Sequence, residues 1–338
     1  MRLLHIHFGK DGGAERFFVK LAGALHRRGV EQAAFIRPGR PWRKELPSAL
    51  RVIEGVPRLH TLPWHAWRRD RLIRDFRPDG MLAWMPRAAA FLPRRSAVTR
   101  VVRLGDYPDR LGPFARTDAL VCNTPGILEH VRALGWDRPV QVISNFSPET
   151  ADRPAPRSSF GTPAQAFLVV GVGRLVPRKG FDSLIRAVAR LEGVHLWLVG
   201  DGGEEGALKS LAEQLGLADR VRFLGWQDRP GPFIAAADVF ALPSTHEPLG
   251  NGILEAWALS RPVVAAASEG PRWVVADGVD GLLHAPGDVP ALTAALRRVR
   301  DEPGLAGRVG AAGRRSLDAR FSEEAVCADY LRLFSARP

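Results

Sequence analysis

Cysteine is almost missing from this 338-residue chain: Cys122 and Cys327 are its only two, and they lie far apart. Neither a disulfide framework nor a CxxC zinc site can be built from them, and a reducing compartment is expected. No DxD triplet occurs, and no two of the nine histidines stand at metal-ligand spacing beside a third ligand, so no metal is expected. No apolar run reaches the roughly 18 residues of a transmembrane helix. The opening Met1-Arg-Leu-Leu-His-Ile-His-Phe8 lacks the basic start, long apolar run and small-residue cleavage site of a signal peptide, and a cytoplasmic location is expected.

Acidic residues are scarce in the first half. Residues 1–150 hold 26 Lys and Arg against 14 Asp and Glu, which accounts for the whole formal charge of +12 and leaves the remainder neutral. Such asymmetry points the first half toward a polyanion: nucleic acid, an anionic membrane surface or a phosphorylated acceptor. Only five of the 48 basic residues are lysines; coding bias would explain the arginine richness but not the neutral second half.

With 46% hydrophobic and 25% charged residues the chain is globular, and its length suits two domains. In the first half, apolar runs at residues 3–8, 32–36, 80–84, 99–104, 119–122 and 140–143 alternate with amphipathic stretches, the rhythm of βαβ units. Residues 14–28 place Phe17, Phe18, Leu21, Ala24 and Leu25 at helical spacing, with Gly29 beyond as a stop. Residues 146–163, rich in Pro, Ser and Thr without apolar periodicity, predict a linker. The rhythm restarts with strands at 166–172, 194–199, 221–224, 239–242, 263–266 and 281–284 and helices at 181–191, 204–215, 251–258 and 289–300. The expected fold class is α/β, with Rossmann-like domains over 1–150 and 151–320 facing one another across a cleft, and a C-terminal helix in 321–338 packing back on the first domain.

Three segments carry chemistry. Residues 9–16 form a turn with Gly12 and Gly13 opening the first helix, where free N–H groups suit an anion; a glycine turn also serves plain βα geometry. Residues 171–180, GVGRLVPRKG, put Gly173, Arg174 and Lys179 at a strand end, where two cations would neutralise a diphosphate, unless the loop is merely solvated. Residues 243–258 hold Glu247 and Glu255, seven residues intervening, around a turn that feeds a helix. Glu247 is placed to accept from sugar hydroxyls, the N–H groups of Leu249, Gly250, Asn251 and Gly252 to meet phosphate oxygens, and Glu255 to accept both ribose hydroxyls. Dipole compensation alone would also put an acid at Glu255. His246 either touches the same ligand or is satisfied by backbone; His5, His7, His60, His65 and His284 read as structural or surface.

Taken in order, GGAER, GRLVPRKG, LVGDGGE, FLGW, HEPLGNGILEAWA and ASEGPRWVVADGVDGLL resemble the retaining glycosyltransferases of family 4, which have the GT-B fold. The likeness covers nearly the whole chain and is strongest over residues 166–287. MPR at 85–87 and RLGDYP at 103–108 are most similar to enzymes that build the lipopolysaccharide core. The resemblance implies Gly12 and Gly13 facing the diphosphate or sugar, Arg174 and Lys179 stabilising the departing diphosphate, Glu247 holding the donor sugar and Glu255 the ribose. The base would lie near Gly200, Arg222 and Phe223. Many members carry a first-domain histidine toward the reacting sugar; here Gly105 stands in its place, and Asp106 is the nearest catalytic candidate.

The expected activity is transfer of a hexosyl group from a nucleotide diphosphate sugar, UDP favoured and GDP open, to a lipid-linked saccharide acceptor, without a metal cofactor. Another GT-B activity such as a sugar-nucleotide epimerase is the rival enzyme. Nucleic-acid binding is the rival of another class, for which no RNP-like strand or helix-turn-helix is found. Trp42, Arg43, Lys44, Trp64, Trp67 and the cations of 68–74 combine indoles with basic groups, which predicts peripheral attachment of the first domain to an anionic inner-membrane face.

Overall fold

Short apolar runs bounded by turn residues pair side by side as parallel strands in the computed structural model, which describes residues 1–10, 12–55, 63–94, 96–147 and 152–335. His60 and the side chain of His65 lie outside these. The first sheet comprises β1 (Arg2–His7), β2 (Glu31–Ile36), β3 (Arg51–Glu54), β4 (Gly80–Trp84), β5 (Thr99–Leu104), β6 (Ala119–Cys122) and β7 (Val140–Val142), in the order β3-β2-β1-β4-β5-β6-β7. The second comprises β8 (Phe167–Val172), β9 (Val194–Val199), β10 (Val221–Phe223), β11 (Val239–Leu242), β12 (Val263–Ala266) and β13 (Leu282–His284), in the order β10-β9-β8-β11-β12-β13. Both reverse direction of growth beside their first strand, the arrangement of doubly wound folds whose ligands sit beyond the strand carboxyl ends.

The crossovers of the first sheet are α1 (Gly13–Arg27), α2 (Pro63–Phe76), α3 (Met85–Ala89) and α4 (Pro125–Ala133). Those of the second are α5 (Phe181–Ala189), α6 (Glu205–Gln214), α7 (Gly231–Ala236), α8 (Asn251–Ala258), α9 (Glu269–Val274), α10 (Val289–Asp301) and α11 (Leu305–Arg320). Helices cover both faces of each sheet, so the central strands are buried throughout. The chain separates into two compact units, one of residues 1–146 with the last helix, the other of residues 147–322.

The last helix, α12 (Glu323–Ser335), returns to the first unit, where Val326, Cys327, Tyr330 and Phe334 enter the core against α1. Glu323 accepts from both Arg27 and Arg28 at 2.7 Å. The expected linker is shorter than its composition suggests. From Ala155 onward the chain packs into the second unit, because Arg157 donates to the carbonyls of Ala164, Ala166 and Ala236 and pairs with Asp238. Trp197 Nε1 donates to Thr162 at 2.9 Å. Proline and serine content registers the absence of regular structure, not the absence of packing.

β1 carries two buried histidines toward α1. His5 Nε2 meets Gln32 Oε1 at 3.0 Å, and its Nδ1 accepts from Trp84 at 3.4 Å. His7 Nδ1 accepts the Gly9 N–H at 3.1 Å, with its ring against Phe18, Trp42 and Trp84. Burial lowers His5 from 6.5 to about 4 and His7 to about 3, each remaining neutral. The unfolded chain binds protons at these positions near pH 6.5 and the folded chain does not, so acidification favours unfolding. Denaturant titrations are expected to show stability falling from pH 6.5 toward pH 4 with a slope of up to two protons, and a shallower fall in His5→Gln.

Candidate active site

The loop after β8 and the loop after β11 are held together by backbone before any side chain is considered. Gly180, in the left-handed region at φ 65°, sits so close to Pro243 that a β-carbon would stand 2.3 Å from its carbonyl oxygen. Thr245 N–H donates to the Arg178 carbonyl at 2.9 Å. Only glycine permits both that conformation and that approach. A similar closeness joins the ends of β8 and β9, where a β-carbon on Gly200 would lie 2.0 Å from the Gly173 oxygen.

With the loops fixed, Lys179 and Glu247 form an ion pair of 2.5 Å with both side chains mostly covered. The lysine stem runs across Gly173, its Cε 3.5 Å from where a β-carbon would be. Three of the sequence-expected residues, Gly173, Lys179 and Glu247, therefore share one site, 68 residues separating the two charges. Arg174 is exposed on the same loop. Leu249 and Gly250 are buried, Gly250 caps α8 at φ 94°, and Asn251, Gly252 and Glu255 follow in the first turns of α8 with Glu255 half-buried. This is a helix N-terminus, the end at which the backbone dipole favours an anion.

Glu269, on α9, is a residue that sequence reasoning missed. Its Oε1 meets His246 Nδ1 at 2.9 Å and its Oε2 accepts the Glu247 N–H at 3.1 Å. Gly270 N–H donates to the Glu247 carbonyl at 2.9 Å. Partial burial works to raise the Glu269 carboxyl, but its hydrogen bonds from backbone and from His246 outweigh it and hold the group below its usual range. Glu269 thus clamps the segment that presents Glu247, and His246 is a partner of that clamp. No local signal in the sequence marks it, since its partners lie 22 and 23 residues away.

Other expected residues are placed differently. The Arg222 guanidinium turns away from the strand end to the carbonyls of Phe160, Ala218 and Val221, and Phe223 packs into the core with Lys209 over its ring. Both side chains are thus engaged within the second unit. In the first unit Gly12 caps α1 and Gly13 begins it, at the carboxyl end of β1. Asp106 follows β5, half-buried, with Oδ1 accepting the Tyr107 N–H at 2.9 Å. Trp42 is buried with Nε1 on the Lys10 carbonyl, which corrects its expected place on an exposed surface; its ring fills the core beside His7 and Phe18. Among the described residues no three His, Cys, Asp or Glu side chains converge to hold a metal ion, and no helix is long and apolar enough to cross a membrane.

The family model described as glycosyl transferases group 1 matches residues 166–302. The chain is 50% identical to the lipopolysaccharide core biosynthesis glycosyltransferase LpsD of Rhizobium meliloti strain 1021, covering 99% of this chain and 98% of that protein. Its identity to LpsE of the same strain, also a lipopolysaccharide core biosynthesis glycosyltransferase, is 47%, with each covered in full. Among solved structures, Anabaena HepE in complex with UDP and glucose superposes with a TM-score of 0.85 over 99% of each chain at 23% identity, which is a likeness of fold. With two Rossmann-like units, the motifs after β8 and β11 in one site and relatives matched end to end, the chain belongs to the group 1 glycosyltransferases and has their GT-B fold.

Proposed function

We propose that this enzyme transfers a hexosyl group from a UDP-sugar to a lipid-linked saccharide in lipopolysaccharide core biosynthesis, with retention of anomeric configuration. The observation that carries the reading is the Lys179–Glu247 pair lying across Gly173 and followed by the N-terminus of α8. The names of LpsD and LpsE support the core acceptor, and the UDP and glucose bound by HepE support the donor.

In this mechanism the diphosphate lies against the N–H groups of Leu249 to Gly252, with Lys179 and Arg174 offsetting its growing charge as the glycosidic bond breaks. The ion pair holds the Lys179 ammonium in place before the donor arrives, which lowers the cost of reorganisation. Glu247 accepts from donor-sugar hydroxyls while Glu255 accepts from the ribose, and Gly200 with the backbone of β10 borders the base. The acceptor hydroxyl attacks from the leaving-group side and passes its proton to a donor phosphate oxygen, the sugar traversing an oxocarbenium-like state. The acceptor is assigned to the first unit, where Gly12, Gly13 and Asp106 are the candidate residues. No divalent metal is required in this reading, because cations and helix N–H groups balance the diphosphate.

Attachment to the inner face of an anionic membrane is the second part of the proposal, and α2 supports it. Trp64 and Trp67 are 61% and 44% exposed and stack on each other at 5.1 Å, with Arg71 5.4 Å above Trp67. Leu72 and Phe76 supply the buried face of the same helix, so the indoles are left for an interface. Arg69 does not belong to this surface: it donates to the Phe91 carbonyl and lies over the Phe91 ring.

Glu255→Ala is expected to weaken UDP binding, measured by calorimetry, whereas Glu247→Ala, in which Lys179 loses positioning but also a competing carboxylate, leaves UDP affinity nearly unchanged and depresses transfer; equal loss of UDP affinity in both would refute the division. Glu269→Ala is expected to follow Glu247→Ala, losing transfer with little change in UDP affinity. Activity is expected to persist in EDTA, and Lys179→Ala or Arg174→Ala to cost about two orders of magnitude in kcat, as for one lost donor to a developing anion. Co-sedimentation should show binding to anionic and not neutral vesicles, falling with salt and weakened in an Arg68/Arg71/Arg74 triple alanine variant, each cation contributing roughly 1 kcal/mol.

A further inference from the structure

Arg103 is a buried cation with no buried carboxylate paired to it among the described residues. It lies on β5 in the first unit, 1% exposed, its guanidinium against the ring of Phe17 at 4.7 Å and that of Trp84 at 5.2 Å, two rings that also touch each other. Nη2 donates to Asn145 Oδ1, the buried Tyr330 hydroxyl of α12 lies beside the guanidinium, Nε has no partner, and no carboxylate among the described residues pairs with the charge. Contact with two aromatic rings offsets part of the desolvation. Guanidinium groups keep their proton even when burial lowers their pKa, as it does here, so a buried positive charge remains to be balanced.

Two residues further on, and therefore on the same side of the strand, stands Gly105. Where a side chain there would place its β-carbon, Arg103 Nη1 is 3.2 Å away, Asn123 Nδ2 3.7 Å and Met85 Sδ 4.0 Å. Glycine thus places no side chain against these two nitrogens at the carboxyl ends of β5 and β6, beside a half-exposed backbone. Around them the buried Asn123 Oδ1, Thr124 Oγ1 and, beyond β7, Ser144 Oγ also lack hydrogen-bond partners. Unpartnered polar groups of this number at one sheet edge are unusual in a finished interior and indicate a ligand. A neutral hydroxyl would satisfy the amide but leave the guanidinium charge uncompensated. An oxyanion satisfies both, accepting from Nη1 and Nδ2 with a charge-assisted bond.

We infer that Arg103, Asn123 and Gly105 form an oxyanion subsite that takes a carboxylate or phosphate group carried by the saccharide acceptor. The inference rests on the acceptor role proposed above for the first unit, and it narrows that acceptor to one bearing an acidic group near the reacting end. The excess of 26 basic over 14 acidic residues in 1–150 favours the approach of such a molecule.

The test uses the full chain and three probe sugars: glucose, glucuronate and glucose 6-phosphate, titrated with tryptophan fluorescence as readout because Trp84 lies against Arg103. At least one charged sugar is expected to bind roughly tenfold or more tighter than glucose, the scale of one charge-assisted contact. Preference for glucuronate identifies a sugar acid as the acceptor group, and preference for glucose 6-phosphate a phosphorylated sugar. Asn123→Asp, which keeps the side-chain shape and gives Arg103 an internal carboxylate, and Gly105→Ala, which places a methyl against Nη1, are each expected to reduce the preference below about twofold. Either variant suffices if the other folds poorly. UDP is titrated in parallel: failure to bind UDP with the charged-sugar preference intact overturns the donor reading alone. Equal binding of charged and neutral sugars, or a preference that survives in Asn123→Asp, overturns the subsite.

Discussion

Parallel pairing of every strand in both sheets governs what this molecule can do. Because parallel strands require a crossover connection between them, all strand carboxyl ends of a sheet fall on one edge and every following loop gathers there. Residues remote in the chain become neighbours only at that edge. The ion pair of Lys179 with Glu247 exists because β8 and β11 are adjacent, and Glu269 reaches Glu247 because β12 comes next. In the first sheet the same logic brings Gly105 and Asn123 together from the neighbouring β5 and β6.

The two units treat buried charge in opposite ways. In the second, the covered cation Lys179 has its carboxylate, and the loop bearing that carboxylate is clamped by a second acid, so the charges are fixed in position and locally balanced. In the first, Arg103 is stacked and hydrogen-bonded but not neutralised by any described acidic group. A preformed pair suits a ligand that must be held and then released as its charge changes. An unbalanced cation suits a ligand that brings the missing charge with it. Buried His5 and His7, kept neutral beside Arg103, spare the same core any further positive charge.

Most strands and the principal crossover helices were legible in the sequence, since buried parallel strands read as unbroken apolar runs and the helices α1, α5, α8 and α10 show clear amphipathic spacing. β3, with four residues, and the one- to two-turn helices α3, α7 and α9 escaped because periodicity cannot be recognised over so few positions. α11 escaped although it is long, its three glycines and alternating arginines blurring the apolar stripe. Trp42 and Trp64 looked alike, each an indole beside basic residues; one fills the core and the other faces solvent.

By itself the sequence determined which chemistry is present: two spaced glutamates around a glycine turn, cations on a glycine-rich loop, glycines opening the first helix, and all of the net positive charge in the first half. These are properties of residue type and local spacing, and local backbone preference suffices to express them. Only the tertiary structure decided which charges meet. That Lys179 would pair with Glu247, that Glu269 would hold the loop, that Arg222 would turn to its own unit's carbonyls and that Arg103 would be buried without a described carboxylate all depend on strand order. Electrostatic and hydrogen-bonding energies fall off over a few ångströms, and distances on that scale between residues tens of positions apart are set by how the sheets assemble.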